Sequence, residues 1–310
     1  SCWGDSMMFG IGAGEAYVSG SDEVLDISGW TTPDTLEYLT GIKVYNLGVS
    51  GETSNEIALR QGGIKMYVDN TFEVGYDDSV EVSIVDEYGN PVYMADFSAY
   101  GYVEPHEPDV VYINDDMFKI TGTEETGLYI CRYSETEVGG DAFTTVYEGT
   151  QVTTKASYER KGDILILEIG SNGGWDNYRQ LISQYDAMIQ NAGCDYYIIV
   201  GDTDDPGTSI ADTSQGFCNE DGTYIGVGDT AWEATLSEAY GEHFINMRTY
   251  LIENGLSDAG LRATNADYRG FRRGRISKQL RSDWTHFNSY GYYAKGLAIY
   301  EKGVELGYWK

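Results

Sequence analysis

Residues 162–193 read GDILILEIGSNGGWDNYRQLISQYDAMIQNAG, and this stretch decides the fold. Ile164 to Ile169 form a short, almost continuously apolar run, the pattern of a strand buried on both faces. A glycine-rich turn follows, and then Tyr178, Leu181, Ile182, Tyr185, Met188 and Ile189 recur at helical spacing. The unit is strand, turn, helix.

The same unit appears on either side. At 43–63, KVYNLGVSGETSNEIALRQGG is a short strand, a glycine turn and a helix carrying Ile57, Ala58 and Leu59, with Thr53 or Ser54 as its N-cap. At 194–204, CDYYIIVGDTD is another buried strand; AWEATLSEAYG at 231–241 is helical and leads to a fourth strand in HFINM at 243–247. The chain closes on NSYGYYAKGLAIYEKGVELG at 288–307, a helix started by Asn288 or Ser289. Strands alternating with helices predict an α/β domain whose parallel sheet is covered on both faces.

The texture changes between Ile64 and Arg160. SVEVSIVDEYGNPVYMAD at 79–96 alternates apolar and polar residues around Tyr88-Gly89-Asn90-Pro91, which reads as a hairpin. GLYICRY at 127–133 and FTTVYEGTQVTTKASY at 143–158 keep the period of two. The expected organisation is therefore one α/β domain, residues 1–63 plus 161–310, interrupted by an all-β inserted domain at 64–160. The insertion holds 20 acidic and 5 basic residues and 11 of the 27 tyrosines.

Fifty acidic against 20 basic residues give a net charge of −30, which repels phosphate backbones and anionic lipid surfaces at long range. Nucleic acid is thereby excluded as an expected partner, and no apolar run is long enough for membrane insertion. The charge is uneven. Arg262, Arg269, Arg272, Arg273, Arg275, Lys278 and Arg281 cluster with only Asp267 opposing them, either a solvated face paired with the acidic remainder or a surface for an anionic substrate. Cys2, Cys131, Cys194 and Cys218 are far apart with no CxxC spacing, so no zinc site is expected. The acidic runs at Asp77, Asp115 and Asp204 lack EF-hand spacing, and no metal or cofactor is assigned.

Of three histidines, His106 lies in a proline-flanked loop and His243 precedes a strand; both read as structural or solvated. His286 stands in SDWTHFN, three residues after Asp283 and just before the last helix. A serine-type ester hydrolase needs an oxygen nucleophile, an imidazole to take its proton, a carboxylate to orient the imidazole, and donors for the oxyanion. The chain opens on SCWGDSMMFG, where Ser6 stands directly behind Gly4 and Asp5.

Four ordered blocks carry a resemblance: Gly4-Asp5-Ser6, Asn46-x-Gly48-x-Ser50-Gly51, Gly170-Ser171-Asn172-Gly173 and Asp283-x-x-His286, each at a strand end or a helix entry. Together they resemble the SGNH, or GDSL-type, hydrolases. The resemblance covers roughly residues 1 to 63 and 161 to 310 and implies a flavodoxin-like three-layer α/β/α fold. It implies Ser6 as nucleophile, His286 as general base and then acid, and Asp283 as its orienting carboxylate. The implied oxyanion donors are the Ser6 and Gly51 N–H groups and the Asn172 amide. Only Ser1, Cys2 and Trp3 precede Gly4, Met7 and Met8 replace smaller residues, and Gly173 stands where the family often has aspartate.

The implied activity is a serine esterase removing a small acyl group, acetyl foremost, from a carbohydrate or other small ester. Trp3, Trp30, Trp175 and Trp284 adjoin the blocks, either as sugar platforms or as core. A lipase, lysophospholipase or thioesterase with the same triad is the second reading, favoured by Met7 and Met8 and opposed by the charge. A glycan-binding module with an idle hydrolase fold is the third. An extracellular or cell-surface bacterial location is expected, with the cytoplasm as alternative, and the abrupt start fits a removed leader.

Overall fold

The computed structural model describes residues 1–19, 24–75, 78–93, 110–114, 116–123, 125–133, 143–206 and 228–310. His106, Cys218, Asp77 and Asp115, and the far end of the 79–96 hairpin, lie outside them. Packing divides the chain into two compact units, one of Ser1–Ser54, Ile164–Ile182 and Asp195–Lys310, the other of Asn55–Asp163 and Ser183–Cys194. The helices, in chain order, are α1 (Ser6–Phe9), α2 (Thr32–Thr40), α3 (Ser54–Gln61), α4 (Lys155–Glu159), α5 (Tyr178–Ala192), α6 (Ala231–Tyr240), α7 (Met247–Glu253), α8 (Gly255–Asp258), α9 (Asn265–Phe271) and α10 (Ser289–Glu305).

The first unit is built on a five-stranded parallel sheet, whose strands we number β1 (Cys2–Gly4), β2 (Asn46–Gly48), β3 (Leu165–Glu168), β4 (Tyr197–Val200) and β5 (Phe244–Ile245). Their spatial order is β2-β1-β3-β4-β5, every pair parallel. This is a doubly wound order in which the winding reverses beside β1, between it and β3, and such sheets place their sites at the carboxyl ends flanking that reversal. The β1 strand is only three residues long, yet it is hydrogen-bonded on both sides: Cys2 and Gly4 register with Ile166 and Glu168 on one side and with Asn46 and Gly48 on the other.

Alternation decides what each face buries. Cys2, Ile166, Ile198, Val200 and Ile245 join one core with Leu36 of α2, Met247 and Leu251 of α7, Leu256 of α8 and Ala294, Ala298 and Ile299 of α10. Trp3, Leu165, Leu167 and Ile199 are equally buried and point the other way. Fully burying one large apolar side chain contributes about 1.5–3 kcal/mol, so both layers are held mainly by this pattern. The last helix begins where the sequence places it, with the Asn288 side chain capping α10 through the Gly291 N–H.

The second unit is β-rich. Its main sheet is antiparallel, with strands in the order Ser79–Val82, Gly127–Arg132, Asp116–Thr123, Val110–Ile113, Gln151–Thr154, Met66–Val68 and Ile84–Asp86. The turn after Ile84–Asp86 is fixed by the Asp86 carboxylate, which accepts from the Tyr88 and Asn90 N–H groups. The unit also takes in nearly all of α3 and most of α5, which the pattern of residues assigns to the α/β domain. The reason is local bonding: Thr154 Oγ1 donates to Arg60 O, Gln61 Nε2 to Met188 O (3.1 Å), and Asn191 Nδ2 to Gln61 O (2.7 Å).

Candidate active site

Ser6 is the first residue of α1, immediately after β1. Asp5 caps that helix: its Oδ1 accepts from the Met7 N–H at 2.9 Å, which fixes the turn and aims the Ser6 side chain off the end of β1. The turn fits only because β2 ends in a residue without a side chain; a Cβ on Gly48 would lie 2.1 Å from the Phe9 backbone nitrogen. Glycine at 48 lets α1 cross the strand end.

Asp283 and His286 arrive from the loop before α10, and the fold brings them to Ser6. His286 Nε2 stands 3.0 Å from Ser6 Oγ, and His286 Nδ1 stands 2.8 Å from Asp283 Oδ2. The Asp283 Oδ1 atom closes the turn by accepting from the His286 N–H (2.7 Å) and the Thr285 N–H (2.8 Å). Partial burial works against the charged form of Asp283, but the hydrogen bonds from the His286 ring, the His286 N–H and the Thr285 N–H outweigh it and hold the carboxyl below the usual carboxylate range. Asp283 is thus kept as the anion that an imidazolium needs beside it. Gly12 allows the loop after α1 to approach this turn, since a Cβ there would meet Ser282 Oγ at 2.0 Å and Phe287 O at 2.7 Å.

The blocks after β2 and β3 converge on the same place. Asn172 Nδ2 donates to Glu52 O (3.1 Å) and to Asp5 Oδ2 (3.3 Å), and Ser171 Oγ donates to Asp5 Oδ2 (2.8 Å). Ser54 ties in the Gly51 turn through Gly173 O, using both its N–H (2.9 Å) and its hydroxyl (3.0 Å). Gly51 adopts φ +85°, and among the described residues neither its N–H nor that of Ser6 donates to another group. These two N–H groups are available to an oxyanion. Both hydrogens of the Asn172 amide already have acceptors, so its longer bond, to Asp5, is the one an oxyanion would replace.

Residues outside the four blocks hold this assembly. Thr285 Oγ1 donates to Asp204 Oδ1 at 2.7 Å, while Arg281 donates to Thr285 O (2.7 Å) and Thr203 O (2.6 Å). The loop after β4 thereby clamps the histidine turn. Lys295 of α10, wholly buried, pairs with Glu168 at the end of β3. Burial pushes the Glu168 and Asp5 carboxyls upward, against the attraction of that ammonium. Asp202 is pushed well up by burial and by neighbouring Asp204, and Asp204 is also raised by its burial.

Other expectations are placed as follows. Met7 and Met8 are buried in the α10-side core rather than offered to a substrate. Trp3 is core, Trp175 packs on Trp232 and donates to Gly170 O, and Trp30 packs against Tyr38 and Tyr293. Trp284 alone of the four is strongly exposed, at 64%. His243 stacks on Tyr197 and faces the Tyr308 hydroxyl, a structural position. Cys2 is buried, and Cys131 and Cys194 are half-buried. Among the described residues there is no cluster of acidic, histidine or cysteine side chains arranged to hold a metal, and no helix is long and apolar enough to cross a membrane. No protein-family model, curated protein or solved structure matches the chain.

Proposed function

We propose that this chain is a serine esterase of the SGNH type that hydrolyses small acyl esters, acetyl foremost, on a carbohydrate. The observation that carries the reading is the unbroken relay from Ser6 Oγ through the His286 ring to the Asp283 carboxylate, over 3.0 and 2.8 Å. The strand order and the four ordered blocks suit this family, and the site's place at the carboxyl ends of β1, β2 and β3 suits its chemistry.

In this mechanism His286 Nε2 takes the Ser6 proton as Oγ attacks the ester carbonyl. The oxyanion that forms is met by the Ser6 and Gly51 N–H groups and by Asn172, each such donor contributing about 3 kcal/mol to the barrier reduction. Asp283 holds Nδ1–H and offsets the imidazolium charge. The imidazolium then gives its proton to the departing alcohol oxygen, leaving an acyl group on Ser6. Water, deprotonated by the same imidazole, attacks that acyl carbonyl and restores the serine.

The burial of Met7 and Met8 removes the feature that favoured a long acyl chain. Hydrolysis of p-nitrophenyl esters should therefore be fastest for acetate and fall with chain length, and Ser6→Ala and His286→Ala should each abolish it. Full activity in either variant, or a preference for eight or more carbons, defeats the corresponding part of the proposal.

A further inference from the structure

The seven basic residues between Arg262 and Arg281 divide into three groups. Arg281 is consumed in the clamp on the histidine turn. Arg275 approaches Asp205 at 3.6 Å, and Arg281 shares that carboxylate at 3.8 Å. The segment's one acidic residue, Asp267, is buried and engaged with Thr264, Ser277 and Gln279. This leaves Arg262, Arg269, Arg272, Arg273 and Lys278, all exposed, and among the described residues none lies within ion-pair distance of a carboxylate. A basic cluster kept merely to neutralise an acidic surface would sit on that surface's carboxylates; in a chain of charge −30 these five, among the described residues, do not.

Two residues of the same segment link it to the site. Arg275 and Arg281 meet on Asp205, and Arg281 holds the carbonyl of Thr285, the residue before His286. The same turn presents Trp284, 64% exposed, whose broad apolar face can lie on a sugar ring. Arginine is the cation whose planar fork matches an oxyanion with two hydrogen bonds. At physiological salt the chain's overall negative field is screened within about 8 Å, so contact at the patch is governed by the patch.

We infer that the 262–278 surface binds an anionic polysaccharide, one bearing carboxylate or sulfate groups along its backbone, and holds it for deacylation at Ser6. The inference rests on the esterase reading for its second half and on the charge placement alone for its first. Nucleic acid offers comparable charge but no carboxylic ester for the adjoining serine.

The test uses the whole chain and the triple variant R269Q/R272Q/R273Q. In affinity electrophoresis, gels carrying polygalacturonate or dextran sulfate should retard the native chain, and neutral dextran should not. Retardation should disappear at about 0.5 M salt and weaken roughly fivefold or more in the variant. The polyanion that retards more strongly identifies carboxylate or sulfate as the recognised group. Equal retardation of both proteins, or none by either polyanion, overturns the inference, as does displacement by an oligonucleotide at lower charge concentration than by the glycan. In a second arm, acetate release from acetylated polygalacturonate should fall about tenfold in kcat/KM in the variant. Acetylated xylan and p-nitrophenyl acetate should stay within about twofold, which also reports a folded variant. Equal loss on xylan overturns the inference. A native chain that hydrolyses no ester counts against the esterase reading instead, and the electrophoresis still decides the binding surface.

Discussion

Thr285 Oγ1 donates to Asp204 Oδ1 across 81 positions of sequence, at 2.7 Å, while the N–H of the same threonine donates to Asp283 Oδ1 at 2.8 Å. One residue therefore fastens the triad carboxylate to the loop after β4. Thr285→Val keeps the volume and deletes the hydroxyl, so the turn should loosen without leaving. Displacements of about 1 Å at a reacting group cost up to roughly a hundredfold in rate. We expect kcat to fall about ten- to a hundredfold with KM little changed, and Thr285→Ser to restore it. Initial-rate kinetics on p-nitrophenyl acetate check this; a loss carried by KM alone would assign Thr285 to substrate binding.

Asp283→Asn leaves the shape of the turn but gives the His286 ring a neutral partner and releases its tautomer. The rate should drop about 10⁴-fold, the effect that losing the orienting acid has in serine hydrolases. His286→Ala should not be much worse, because groups that act as one unit do not contribute additively. Single-turnover measurement of acyl-enzyme formation separates this from slow deacylation.

The meeting of Ser6, His286 and Asp283 was legible in the residues because each of its parts is a local signal. Asp283 and His286 are three apart at a helix entry, and Ser6 follows an acid that caps its own turn. The parallel sheet was legible for the same reason, since Ile164 to Ile169 is a strand by composition alone. The clamp was not. Arg281 reaches Thr203 across 78 positions and Lys295 reaches Glu168 across 127, and no spacing rule connects such pairs. The side on which α3 packs was not legible either: it has the helical pattern of the α/β domain, whereas its partners are set by the contacts of Arg60 and Gln61 with Thr154, Met188 and Asn191.

Asn172 bridges Asp5 and Glu52 with both of its amide hydrogens, so its two roles can be told apart. As an oxyanion donor, its removal in Asn172→Ala should lower kcat about 10²- to 10³-fold. As a tie between turns, it should cost about 1 kcal/mol of stability, the usual net worth of a hydrogen bond. Parallel kinetics and thermal unfolding check both, and a normal kcat with a lowered Tm would leave it only the second role.

Asp202 and Asp204 lie in the loop after β4 that holds Thr285, and burial raises both carboxyls, with the repulsion from Asp204 adding to it at Asp202. A carboxyl raised above its unfolded value holds its proton more tightly in the folded chain. The stability it contributes is complete below the unfolded value and is lost as pH rises through the folded one. Glu168 and Asp5 shift in the same direction. The Tm should accordingly be higher at pH 5 than at pH 8. Asp202→Asn imitates the protonated group, and should raise the Tm at pH 8 by about 3 °C or more while changing it little at pH 5. Differential scanning calorimetry at the two pH values checks the sign; an equal shift at both would show that the effect is not electrostatic.

Lys295 and Glu168 form a buried ion pair beneath the site, with Lys295 wholly out of solvent and Asp5 close enough to feel its charge. Removing one partner of such a pair strands the other, and costs about 3–5 kcal/mol. Lys295→Met should therefore lower the Tm by about 10 °C, and it should also raise the barrier at Ser6, because the carboxylate that caps the serine turn loses its cation. Replacing both partners by neutral groups is far less costly. In Lys295→Met/Glu168→Gln the Tm should return to within a few degrees of the native chain, and a double-mutant cycle on thermal unfolding measures the coupling. Two single losses that simply add would mean that the pair is not coupled, and that Lys295 is retained for its packing against the end of β3.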